Sequence, residues 1–257
     1  EFTRFTGITS NPNGIGIFSA MILPVVFWNF RRRKNTLNLF LLAAVIFSFF
    51  YSFSRNAFIC SVLGLSVYFY LSARQHGAFF FLVSVFLIFA MVLYADWFGV
   101  LLPRSLTRLE SSDFLSGRLE AWQAALELIR AHPFRGYGFG IEELVFQHFD
   151  YQFQQHSGAY AHNCFLGLAL QLGWIPAVVI YLAWFIFLIR SFFRLMWVQS
   201  QYGALAFALY ASVLSAFFTS FFESWFYTAG GILAFPFFTF MMLLMRLVEF
   251  QKSARTV

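Results

Sequence analysis

Polar residues are so sparse in this chain that they cut it into long apolar runs. These cover Gly14–Phe30, Leu37–Phe53, Ala57–Leu71, Ala78–Ala95, Asn163–Ile189, Gly203–Phe222 and Gly231–Met245. A helix needs about 20 apolar residues to cross a bilayer core, and these runs are of that scale. They are continuously apolar rather than alternating, which argues against a membrane β-barrel. Composition agrees: 60% of residues are hydrophobic, 11% are charged and 40 are phenylalanine, whereas a soluble domain is about a quarter charged. The predicted class is an all-α polytopic membrane protein with about seven transmembrane helices.

One polar insertion, 96–161, is too long to be a simple connector and so has a task of its own. The expected organisation is therefore residues 1–95 with transmembrane helices 1–4, a loop domain over 96–161, and residues 162–257 with helices 5–7 and a tail. The run from Asn163 is longer than one span requires, and Gly173-Trp174-Ile175-Pro176 interrupts it. A short helix over 163–172, a kink, and then the span proper are predicted. The chain opens without Met, inside a motif, so a longer protein with further helices upstream is expected.

Charge orients these runs. With Arg31-Arg32-Arg33-Lys34 placed in the cytoplasm, Arg74, Arg190, Arg194, Arg246, Lys252 and Arg255 fall on the same side. That is more than half of the 17 Lys and Arg, all in short loops or beside a span, as the positive-inside rule requires. The N-terminus is then outside, the C-terminus inside, and 96–161 on the external or periplasmic face. The net charge of +6 is thereby explained by topology, with no nucleic-acid partner expected. Cys60 and Cys164 lie in apolar surroundings without metal-ligand spacing.

Few residues in such a chain can carry chemistry. Arg55 stands in the break Ser54-Arg55-Asn56 between two apolar runs. A charge so near hydrocarbon costs several kcal/mol unless paired or hydrated. Two roles fit: snorkelling at a helix end, or binding an anion in a watery cavity. Arg118 opens a helix whose Leu119, Trp122, Leu126 and Ile129 make one apolar stripe. Ser116 is its expected N-cap, Glu120 lies in its first turn, and Pro133 stops it. Such a helix could rest on the membrane with that stripe down. Its N-terminal N–H groups beside Arg118 suit a phosphate oxygen; a solvated surface arginine is the plain alternative. Gly136-Tyr137-Gly138-Phe139-Gly140 lacks the lysine and setting of a P-loop and predicts a tight turn for close backbone approach. His162 precedes Asn163 where the chain re-enters the apolar region. Either it satisfies a backbone carbonyl or it serves as a general base. No metal-ligand spacing surrounds it.

Taken in order, RFTGITSNPNGIG, SRNAF, SGRLEAWQAALELIRAHPFRGYGFG and AHNCFLGLALQLGWIP resemble the O-antigen ligase and O-antigen polymerase superfamily. The resemblance implies a GT-C-like bundle with one large periplasmic loop containing amphipathic helices. It implies a glycosyltransferase of the bacterial inner membrane with its active site facing the periplasm. The donor is a glycan on undecaprenyl pyrophosphate; the acceptor is lipid A-core or a second lipid-linked glycan. Neither a nucleotide nor a metal nor another cofactor is implied. Carried over by motif, Arg55, Arg118 and His162 are the catalytic candidates, and Arg4, Asn163 and Arg135 the substrate-binding ones. A transporter, of the kind some bicarbonate-type relatives have been named, and a non-catalytic membrane scaffold are the competing readings. A transporter would place coupled charges or broken helices at mid-membrane, whereas these polar candidates gather at the outer mouth.

Overall fold

The structure is a computed structural model and describes residues 5–7, 9, 11–73, 79, 82–83, 118–151, 160–198, 200–227 and 231–253. Among these residues every regular element is a helix: α1 (Pro12–Arg32), α2 (Thr36–Tyr51), α3 (Arg55–Ser72), α4 (Arg118–Ala131), α5 (Glu142–His148), α6 (Cys164–Leu172), α7 (Trp174–Met196), α8 (Ser200–Thr219) and α9 (Ala234–Ser253). The all-α expectation therefore holds for them. Two of these helices, α1 and α7, are long and apolar enough to cross a membrane; α2 and Gly203–Thr219 are shorter apolar helices. The count of seven spans goes beyond this, and most of the run Ala78–Ala95 lies outside the described residues. A membrane environment suits α7 in particular. Ile175, Val179, Leu182, Phe185 and Phe193 are all exposed along it, whereas the core helix of a soluble protein would bury such side chains.

The described residues fall into two compact units. The first draws on Glu1–Arg108, Leu188–Thr219 and Phe235–Val257, the second on Leu109–Phe187 and Ser220–Ala234. The second unit thus joins part of the expected loop domain to the start of α7 and to a segment near the chain's end.

In the first unit, α1 packs against α2, α3 and α8, and α3 against α8. Small residues make the α3–α8 contact. Gly64 has no room for a Cβ against Ser215 and the Ala211 carbonyl, and Ser61, Ser66, Ala208 and Ser212 are buried nearby in sequence. Helices in lipid associate by such close packing, because burying apolar surface there drives nothing. Each entry is capped: the side chains of Asn11, Asn35 and Ser54 accept from the first turns of α1, α2 and α3. Pro12 sits in the first turn of α1, where a missing N–H costs nothing.

In the second unit, α4 and α5 both pack on α6. The buried face of α4 is Ala121, Ala124, Ala125, Leu128 and Ile129. The stripe expected from the sequence differs: Leu119 is 48% exposed and Trp122 and Leu126 are half-buried. The face of α4 that is buried is thus mostly small side chains, with Ile129 the one member of the expected stripe among them. The kink between α6 and α7 falls where Gly173 adopts φ 87°.

The glycine turn docks on the end of α6. Tyr137 N–H donates to Leu170 O at 3.0 Å, Gly138 N–H to Gln171 O at 2.9 Å, and Gly140 N–H to the Gln171 side chain at 2.6 Å. The turn therefore satisfies carbonyls that a helix end leaves open. Gly136 sits at φ 60°, and a Cβ there would overlap the backbone of Gln171 and Leu172. Gly136→Ala is expected to destabilise the protein by about 1–3 kcal/mol. Gly140, at φ 83° with open space around it, should tolerate alanine better. Thermal unfolding in detergent checks this; equal melting of the two variants would remove the steric account.

Candidate active site

Two side chains from separate stretches of the second unit, Arg118 and His162, meet at the carboxylate of Glu223. Arg118, the first residue of α4, donates from Nη2 to Glu223 Oε1 at 2.8 Å. His162 Nδ1 lies 3.0 Å from Glu223 Oε2. All are largely enclosed: the side chains of Arg118, His162 and Glu223 are 12%, 14% and 8% exposed.

Local structure explains each position. Arg118 is brought in by α4, which packs on α6. His162 precedes Asn163, the N-cap of α6, whose Oδ1 accepts from Phe165 N at 2.9 Å and Leu166 N at 3.1 Å. Its own backbone is left-handed at φ 48°, a conformation that costs a non-glycine residue about 1–2 kcal/mol. Both neighbouring amides hold it there: Ala161 N–H donates to Glu142 Oε1 at 2.8 Å, and Asn163 N–H to Ser224 Oγ at 3.3 Å. Glu223 follows α8 on a non-helical segment. That segment is pinned by Cys164 N–H donating to Ser220 O at 2.7 Å and by the Cys164 thiol donating to Glu223 O at 2.9 Å.

Burial by itself would raise the Glu223 carboxyl. His162 and Arg118 outweigh it, and the net shift is downward, so the group is ionised at neutral pH. A carboxylate accepts only, so His162 must carry its proton on Nδ1 in this pair, and Nε2 of the neutral ring holds the lone pair. The arrangement is that of a base oriented by an acid. Glu142 behaves oppositely. Burial is the largest influence and raises its carboxyl, although Tyr227, the Ala161 amide, Ser224 and His162 all pull it down.

Arg118 has more donors than Glu223 uses. Its Nε, and Nε1 of Trp122 one turn along α4, are buried without a hydrogen-bond partner among the described residues. Buried N–H groups without partners cost about 1–3 kcal/mol each, so both suit an acceptor-rich ligand. Among the described residues no group of three His, Cys, Asp or Glu is arranged to hold a metal ion.

Of the remaining candidates, Arg55 is the first residue of α3 in the first unit, behind the Ser54 cap. Arg135 is exposed just ahead of the glycine turn. Asn163 commits its side-chain oxygen to capping α6. Arg4 lies outside the described residues. Glu223 and Glu142 were not singled out from the sequence. A hint existed for Glu223: a lone acid between Phe222 and Trp225, at a break between apolar runs, needs a partner.

A search of curated proteins and of solved structures gives no match. The family described as O-antigen ligase matches residues 37–182. Arg55, Arg118 and His162 fall inside that stretch and Glu223 beyond it. More than half of the chain is covered, and the chain belongs to the O-antigen ligase family.

Proposed function

We propose that this protein moves a glycan from undecaprenyl pyrophosphate to an acceptor hydroxyl at the periplasmic face of the inner membrane. The observation that carries this is Glu223 bridging Arg118 and His162, which sets an oriented base beside a guanidinium. In the proposed step the acceptor hydroxyl gives its proton to His162 Nε2. Its oxygen bonds to the anomeric carbon, and the bond from that carbon to the pyrophosphate oxygen breaks. The electron pair leaves with the lipid pyrophosphate, whose growing charge Arg118 meets. Direct displacement inverts the anomeric carbon. Glu223 stabilises the imidazolium as it forms, and neither nucleotide nor metal enters the step. Arg55 is proposed as a second pyrophosphate ligand on the family resemblance alone. Arg4, Asn163 and Arg135 are proposed as further substrate contacts on the same ground, and lipid A-core or a second lipid-linked glycan as the acceptor.

The test is to delete the gene in its host, restore the full-length protein or its variants, and run surface glycans on a gel. Deletion should leave uncapped core with intact lipid-linked polymer for a ligase, or core with a single repeat for a polymerase. Arg118→Lys and Arg55→Ala should each lower transfer about 10²-fold or more, since each removes donors from a developing charge. Unchanged glycans on deletion, with altered carbon uptake, would replace this function with transport.

A further inference from the structure

We propose that Glu142 is a positioning residue for the transfer, holding the His162 turn and the Glu223 segment in a single register. The proposal rests on the function assigned above to His162 and Glu223. Glu142 is the first residue of α5 and only 3% exposed. Its Oε1 accepts from Ala161 N–H at 2.8 Å on the His162 side, and from Ser224 Oγ at 3.4 Å on the Glu223 side. Ser224 Oγ in turn accepts from Asn163 N–H at 3.3 Å. One carboxyl oxygen thus closes a ring through the residues immediately before and after His162 and the residue after Glu223. Oε2 takes the hydroxyl of Tyr227, further along the Glu223 segment. Gly167 of α6 leaves that hydroxyl its space, since a Cβ there would overlap it.

This ring answers a specific need. His162 occupies a left-handed backbone conformation, and such conformations persist only when their surroundings over-determine them. Without Glu142 the Ala161 amide loses its acceptor, Ser224 (the acceptor of the Asn163 amide) loses the group that fixes its hydroxyl, and Nδ1 is no longer aimed at Glu223. The titratable groups around Glu142 are Tyr227, Tyr160, Cys164 and His162; of these His162 alone can become a cation, and it pairs with Glu223, whereas the hydrogen bonds of Glu142 go to the Ala161 amide and the Ser224 and Tyr227 hydroxyls. Shape and hydrogen bonding, rather than negative charge, are therefore what Glu142 supplies, and glutamine can supply most of both.

The experiment uses full-length protein purified in detergent, with the host's undecaprenyl-pyrophosphate-linked glycan as donor and its lipid A-core as acceptor. Glu142→Ala should lower kcat about 10²-fold, the scale of lost base alignment, with KM for the donor within about twofold. Glu142→Gln should recover kcat to within about fivefold of wild type. Ser224→Ala, which removes one link only, should lower kcat about tenfold, and keeps the test open should Glu142→Ala fail to accumulate. Wild-type kcat in Glu142→Ala, or in Ser224→Ala if that is the variant obtained, overturns the proposal. So does Glu142→Gln being as impaired as Glu142→Ala, or a loss confined to KM. His162→Ala run in parallel separates the two layers. If it is inactive while Glu142→Ala is normal, only the positioning role falls. If it is fully active, the function assigned to His162 falls first.

Discussion

His162→Ala in the full-length protein is expected to lower glycan transfer by about 10²–10⁴-fold, the usual contribution of a general base. The amount of protein in the membrane should stay unchanged. The ring is held by Glu223 at 3.0 Å through Nδ1, which leaves Nε2 as the basic nitrogen of the neutral tautomer. Alanine removes that nitrogen. It also places an unsuitable side chain at φ 48°, so a backbone effect must be separated from a chemical one. His162→Asn does this, because asparagine adopts left-handed backbone more readily than alanine. Both variants should be inactive. An active His162→Asn would mean that His162 serves its turn and not the acceptor's proton.

Glu223→Ala should damage both stability and activity. It leaves the Arg118 guanidinium largely enclosed without its carboxylate, and breaking a buried pair this way costs about 3–5 kcal/mol. It also frees the His162 ring from its orienting partner. Loss of transfer should therefore come with a melting temperature lower than that of His162→Ala, which breaks no Arg–carboxylate pair. Glu223→Gln should recover part of the stability and little of the activity, because an amide stabilises no imidazolium. A Glu223→Ala protein that melts like wild type and transfers glycan at wild-type rate would remove the cluster from the mechanism.

Acid should mimic that variant. The folded carboxyl of Glu223 is shifted down, so its stabilising contribution is complete above the ordinary glutamate value of about 4.3. It disappears as pH falls through the lower folded value. Glu142 has the opposite sign: its raised folded value gives a contribution present below about 4.3 and lost as pH rises through the folded value.

The helices were legible because their signals are local. Apolar runs and the break at Gly173 depend on neighbours in sequence, and α1, α2, α3, α6 and α7 lie close to where those signals put them. The glycine turn was legible as a place of close backbone approach; its partner, the end of α6, was not. The packed face of α4 was less so: a hydrophobic stripe ranks residues by side-chain size, whereas the face buried here is built mainly of alanines with Leu128 and Ile129.

Sequence by itself determined the all-α class, the family, and the small set of residues with enough polarity to act, Arg118 and His162 among them. Only the tertiary structure decided that these two share Glu223, and that Glu142 ties the strands of chain around them together. Arg118 and Glu223 stand 105 positions apart, and His162 and Glu223 are separated by 61. Nothing in a local pattern encodes which distant carboxylate a cation will find. That choice is made when helices pack and each enclosed charge must meet its opposite.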